Sequence, residues 1–218
     1  MSEQLIAVDP ALDPALGPAP KRAQAVTALH RERLLAGMEA AIRHKGLEAT
    51  TISDVVHQAH VSKRTFYEHF ADKEACFLAL FVVTSDRIVD AIVDDLPAEL
   101  PWEERIRTCI DAYLAGLAVN PAVTSSFLLD VRGAGPKALP LRRAVINRLV
   151  DLLLGLAHDA RAQDPTLHRL DRATVTAIVG GLNELMLAAV EEQRVHRIAE
   201  IGETGVQLLR AALTAPRP

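Results

Sequence analysis

From about Ala23 to Leu213, apolar residues recur at spacings of three and four, and no stretch alternates residue by residue. That rhythm covers one face of a helix and cannot line one face of a strand, so the chain is expected to be all-α. Predicted helices cover 23–45, 50–59, 62–69, 72–96, 101–119, 121–131, 138–162, 171–194 and 198–213, about nine in all. Leu35, Met38 and Ile42 set the first stripe, and Gly46 stops it, with Arg43 and Lys45 in the last turn where the helix dipole favours cations. Pro101, Pro121 and Pro140 sit at first turns or bends, Pro165 sits in a loop, and Gly133, Gly135 and Pro136 mark a break. Residues 1–22, with Pro10, Pro14, Pro18 and Pro20, read as a disordered arm.

Half of the 218 residues are hydrophobic but only 4% are aromatic, so aliphatic side chains must fill the core. No apolar run approaches the roughly 20 residues that span a bilayer, and residues 1–20 lack a signal-peptide pattern. Cys76 and Cys109 have no paired spacing and read as small buried hydrophobes, with a redox switch as the alternative. Together these features predict a cytoplasmic protein without a membrane partner. No metal-ligand spacing, Gly-rich phosphate loop or nucleophile signature is present, and the His57–His60 pair lacks further ligands. The expectation is therefore no enzyme, no cofactor and no metal.

The formal net charge is −4. Any contact with nucleic acid must come from a local patch. Residues 21–75 carry nine Lys or Arg against seven Asp or Glu, an excess of two, and five of the eight histidines. Within that region, residues 50–70 read TTISDVVHQAHVSKRTFYEHF. Two short helices joined at Ala59-His60-Val61 would pack through Ile52, Val55 and Val56 and through Val61, Phe66 and Phe70. The packing turns Ser62, Lys63, Arg64, Thr65, Tyr67 and His69 outward or to the rim. Those hydroxyls, cations and phenol suit a helix laid in a major groove.

From about Leu29 to Phe81 the sequence resembles the TetR family of transcriptional regulators. The likeness rests on Thr50-Thr51, on Val61-Ser62, on Thr65-Phe66-Tyr67-Glu68-His69-Phe70 and on Lys73-Glu74. It implies a helix-turn-helix domain over 23–71, and a helical ligand-binding and dimerisation domain over 72–218 that begins with a long fourth helix. It also implies roles for single residues. Thr51 and Ser53 would touch phosphate or a groove edge, and Lys63 and Arg64 would read bases. Ser62, Thr65, Tyr67 and His69 would fix register on the backbone, and Lys73 would meet phosphate.

Two positions depart from the family pattern. His60 stands where the turn usually holds Gly, and a left-handed conformation there costs a non-Gly residue about 1–2 kcal/mol. Glu68, on or near the binding face, either accepts from a cytosine amine or points away from phosphates.

The resemblance further implies an inducer pocket among the middle helices. Candidate walls are Trp102, Tyr113, Phe127, Leu128, Val150, Leu153 and Met186; candidate polar anchors are Asp130, Arg132, His158, Asn183 and Glu184. The low aromatic content and the lack of a polar cluster suggest an apolar or amphipathic ligand. Helices near 171–194 and 198–213 are apolar enough to form a homodimer seam, and Gly180-Gly181 would allow close approach. The expected function is a repressor released from a palindromic operator by a small molecule. The alternative is a helix-turn-helix regulator or interaction protein that lacks an inducer pocket.

Overall fold

The computed structural model describes residues 19–133 and 135–215, apart from the side chains of 19–23 and 132. Residues 1–18 of the expected N-terminal arm lie outside the described residues. Among the described residues the fold is all-helical: α1 (Ala19–Ala49), α2 (Ile52–Ala59), α3 (Lys63–His69), α4 (Lys73–Asp95), α5 (Trp102–Ala118), α6 (Pro121–Gly133), α7 (Gly135–Gln163), α8 (Arg172–Glu191) and α9 (Ile201–Thr214). A 3-10 turn, Val195–Glu200, leads into α9.

Helix α1 starts at Ala19, four residues ahead of the expected Ala23, so residues 19–22 of the expected arm are helical. It bends at Gly46, where φ is 77° and ψ is 165°. This is the predicted stop, and the chain makes one more short turn to Ala49 beyond it. Thr50 Oγ1 donates to the Gly46 carbonyl at 2.6 Å and closes the bend. Helix α7 begins at Gly135, three residues earlier than expected, which places Pro140 inside the helix instead of in its first turn. Helix α8 ends at Glu191 and not at 194, because Gln193 adopts a left-handed conformation with φ of 58°. There Arg194 N–H donates to Ala189 O and Gln193 N–H to Val190 O, a helix-terminating pair of bonds made without glycine.

Two apolar clusters organise the bundle. The first joins α1, α2, α3 and the start of α4 around Leu34, Met38, Ile42, Val55, Phe66 and Phe77. It continues into α6 and α7 through Val123, Phe127, Val131 and Val145. The second is formed by α5, α7, α8 and α9 around Ile110, Val150, Val175, Ile198 and Leu209. Both cysteines are free and buried, one in each cluster, and burial pushes each thiol up to about 12. Protonated thiols in such surroundings act as the small hydrophobes expected, not as redox switches.

By length and composition α8 would suffice to cross a bilayer, contrary to the sequence expectation. Its valines, leucines and alanines, with Ile178 and Met186, raise hydropathy, while Gly180, Gly181, Asn183 and Glu184 interrupt any long aliphatic run. It packs within the bundle through Val175, Ile178, Val179, Met186, Leu187 and Val190.

Helices α1 and α2 meet at Gly37. A Cβ added there would lie 2.6 Å from Val55 O and 3.0 Å from both Ala59 Cβ and Ala59 N. These are backbone or rigid neighbours. The cost of overpacking, about 1–3 kcal/mol, should therefore exceed the ~1 kcal/mol gained in helix propensity. Gly37→Ala is expected to lower the urea midpoint of unfolding, and an unchanged or higher midpoint would show that α2 can move outward freely.

Candidate DNA-binding surface and internal cavity

Helix α2 starts on a reciprocal cap. Thr51 Oγ1 accepts from Asp54 N–H at 3.3 Å, while Thr51 N–H and Thr51 Oγ1 donate to Asp54 Oδ2 at 2.7 and 2.5 Å. Lys45 Nζ also lies 2.6 Å from Asp54 Oδ2. The Lys45 and Thr51 bonds hold the Asp54 carboxyl well below the usual carboxylate range. Helix α2 ends at His60, which is left-handed with φ of 53° and ψ of 45°. His60 N–H donates to His57 O at 3.2 Å and Val61 N–H to Val56 O at 3.1 Å. This Schellman pair offsets part of the strain of a non-Gly residue in that conformation. From α1, Arg33 Nη2 donates to the His60 carbonyl at 3.2 Å. The turn thus keeps the geometry that a glycine would have given.

Helix α3 is capped by Ser62, whose Oγ accepts from Thr65 N–H at 3.0 Å. Phe66 is fully buried and Phe70 nearly so, which anchors the inner face. The outer face carries Ser62, Lys63, Arg64, Tyr67 and Glu68, all exposed. Tyr67 is 58% exposed and the Arg64 side chain 90% exposed. Arg64 Nε donates to Glu68 Oε1 at 3.2 Å across one turn. Glu68 therefore has a partner on its own helix, and such an exposed pair separates at little cost. Thr51 and Ser53 are exposed beside this surface at the start of α2. Thr65 is half-buried, its Oγ1 3.0 Å from Ser62 Oγ.

Two residues expected on the surface have other work. Lys73 Nζ donates to Leu47 O at 2.9 Å, Glu48 O at 3.3 Å and Thr50 O at 2.8 Å. An ammonium has three protons, so its donors close the end of α1 and are not free for phosphate. His69 is half-buried and meets the His30 ring edge-on at 6.3 Å between centroids. Desolvation, and then the His30 charge, lowers its pKa from 6.5. It thus presents a neutral imidazole to any partner.

The cavity lies between α4, α5, α6, α7 and α8 and the first residue of α9, with a volume of about 100 Å³. Of the expected walls, Tyr113, Phe127, Leu128, Leu153, Asn183 and Met186 line it. Three expected residues stand elsewhere. Trp102 lines a separate hollow against Arg107 and Val206 near α9. Asp130 is exposed on α6, where Phe127 and Val131 hold the inward phase. His158 is exposed on α7 beside a cleft with Arg161 and Arg169, because Leu156, Ala157 and Ala160 take the core positions around it. Val150 is buried without touching the cavity, Glu184 is exposed on α8, and the Arg132 side chain lies outside the described residues. Sequence reasoning missed Ser85, Thr124 and Arg142, which also line the cavity. Nothing in their spacing marks them, since each occupies an ordinary helical position.

Among the described residues no group of three His, Cys, Asp or Glu could hold a metal ion.

A capped, exposed short helix set on an α1–α2 scaffold is the architecture of a helix-turn-helix. Residues 34–80 match the sequence model described as bacterial regulatory proteins, tetR family. The whole fold is shared with solved structures of that type. FadR from Bacillus subtilis, in complex with stearoyl-CoA, superposes with a TM-score of 0.70 at 16% identity, over 84% of this chain and 98% of that one. FadR from Bacillus halodurans gives 0.70 at 20% identity, over 83% and 94%. A TetR-family regulator from Mesorhizobium loti gives 0.68 at 18% identity, over 85% and 96%. No curated protein matches the chain by sequence. The segment 34–80 therefore carries the sequence pattern of a TetR-type helix-turn-helix, and the chain shares the fold of these solved structures.

The lowered His69 pKa sets a direction for pH dependence. A base whose folded pKa lies below its unfolded value is fully stabilising above about 6.5, and that share is lost as pH falls through the folded pKa. The melting temperature is expected to drop between about pH 7.5 and about pH 5, and His69→Gln should flatten the drop. Parallel curves for both proteins would show that His69 titrates alike in the folded and unfolded states.

Proposed function

We propose that the protein is a homodimeric repressor that holds a two-fold operator and leaves it when a small apolar or amphipathic ligand enters the cavity. The observation that carries this reading is the α3 surface formed by Ser62, Lys63, Arg64, Tyr67 and Glu68, capped at its start and exposed, with Phe66 and Phe70 buried behind it. In this reading Lys63 and Arg64 reach base edges, where an Arg fork onto guanine is worth about 1–3 kcal/mol of discrimination. Thr51, Ser53, Ser62, Thr65 and Tyr67 meet the backbone, and Lys73 acts through the scaffold it closes. His69 contributes at most a neutral hydrogen bond.

A single reading helix covers too few bases, and a dimer solves this by spacing two of them about 34–36 Å apart. The outward faces of α8 and α9 support such a seam. Ala177, Gly181 and Leu185 stand exposed on α8, and Thr204, Leu208 and Ala211 on α9, each set at helical spacing. A Cβ added at Gly180 or Gly181 would meet nothing within 4 Å, so these glycines are not needed for packing inside one subunit. The ligand response is supported by the cavity and by the stearoyl-CoA held in the similar fold of the Bacillus subtilis protein. A cytoplasmic location follows from a DNA target. A regulator without ligand response remains the second reading; a thermal-shift screen that finds no small-molecule binder would favour it.

Selection from a random duplex pool is expected to return a two-fold site. Lys63→Ala and Arg64→Ala should each weaken binding and relax base preference, and failure to retain any duplex at low salt would overturn the regulator reading. Leu185→Glu combined with Leu208→Glu is expected to yield monomers in sedimentation velocity with weaker operator binding; an unchanged sedimentation coefficient would move the seam elsewhere.

A further inference from the structure

The cavity wall is aliphatic and aromatic except for five residues: Ser85, Tyr113, Thr124, Arg142 and Asn183. Two of these are already spent on the fold. Ser85 Oγ donates to Phe81 O at 2.8 Å, and Thr124 Oγ1 donates to Leu117 O at 2.6 Å. Among the described residues, Tyr113, Arg142 and Asn183 have no hydrogen-bond or ion-pair partner. Among the described residues no acidic side chain lines the cavity. Three uncommitted polar groups, one of them cationic, therefore face an otherwise oily space.

We infer that the cavity takes a compact organic acid, its carboxylate held by Arg142 with hydrogen bonds from Tyr113 and Asn183. The inference rests on the ligand-responsive reading above and narrows its ligand class. A pure hydrocarbon would leave three polar groups enclosed without partners, at a cost for each. An amine would bring a second positive charge beside Arg142. A carboxylate instead matches the planar fork of a guanidinium and accepts further bonds on its remaining lone pairs. Burial pushes the Tyr113 phenol up to about 12, so at neutral pH it keeps its proton and donates. Asn183 supplies a donor through its amide nitrogen.

Size limits the tail. At about 100 Å³ the void is smaller than the roughly 150 Å³ cavity that admits benzene. A tail of a few carbons, straight or branched, fits it; a six-membered ring or a long fatty chain does not fit without separating the helices. Phe81 and Phe127 line the cavity and also pack against each other at 5.2 Å between centroids. A tail that presses on them therefore presses on the join between α4 and α6.

The test uses the full chain, with butyrate and isovalerate as probes and butylamine and butanol as neutral-pH controls. Stearoyl-CoA forms a separate arm. Both acids are expected to raise the melting temperature and to weaken binding to the selected duplex, with butylamine inert. By calorimetry Arg142→Met should bind the acids at least about tenfold more weakly, the loss of one charged hydrogen bond. Arg142→Lys should recover part of that loss, and Tyr113→Phe should cost a few-fold. If Arg142→Met does not fold, the Lys and Phe variants carry the comparison.

The inference fails if neither acid binds, if butylamine or butanol binds as well, or if the substitutions leave acid affinity unchanged. Binding of stearoyl-CoA alone would also overturn it, in favour of a long-chain thioester. Each of these outcomes is separable from failure of the regulator reading, because retention of duplex by the ligand-free protein is measured independently.

Discussion

The packing of Phe77, Phe81 and Phe127 is the contact on which the rest of the molecule depends. Phe127 on α6 lies 5.8 Å from the Phe77 ring and 5.2 Å from the Phe81 ring, both on α4. Aromatic pairs at such separations contribute about 0.5–1.5 kcal/mol beyond the area they bury. In a chain with few aromatic residues, three of the five phenylalanines meet at this one place. Through them the core of the helix-turn-helix becomes continuous with the cavity wall. Arg148 on α7 reinforces the join by pairing with Asp86 and Asp90 one turn apart on α4. Helix α4 is thus gripped near its start by α1, along its middle by α6 and further on by α7. A change in the cavity has a packed route to α3, which is the physical requirement for a ligand to bias two arrangements of the reading helices.

Much of this organisation was legible in the sequence, for identifiable reasons. The stripe Leu35, Met38 and Ile42 marked α1, Gly46 marked its bend, and Ile52, Val55 and Val56, then Phe66 and Phe70, marked the packing faces of α2 and α3. The boundaries that differ are those where the chain used chemistry without a composition signal. Gln193 ends α8 in a conformation that glycine usually supplies, and nothing about a glutamine announces it. Helix α7 runs through Pro140, whose position near the helix start leaves only one backbone bond to lose.

The side chains of the site were less legible. Short capped helices fix which way α3 points, so the exposure of Lys63, Arg64 and Tyr67 followed from the burial of Phe66 and Phe70. The cavity is lined from six helices, and which residue faces it depends on the rotation of each. Asp130 and His158 carry the right chemistry on the wrong phase of their helices, while Arg142 faces the space from a position that no periodicity distinguishes. Lys73 shows the same limit at shorter range. Its charge and place at the head of α4 suggested phosphate, but three carbonyls left open by the bend at Gly46 lie closer.

That lysine has a mechanical consequence. It rivets the head of α4 to the tail of α1, so the two helices share one joint, and Arg33 ties α1 in turn to the turn that aims α3. A tilt of α4 carries the three N-terminal helices with it as a block. Under the proposed mechanism an effector then alters how far apart two such blocks stand, while the surface each offers to the bases keeps its shape. Occupancy of the operator would change and the preferred letters of the operator would not.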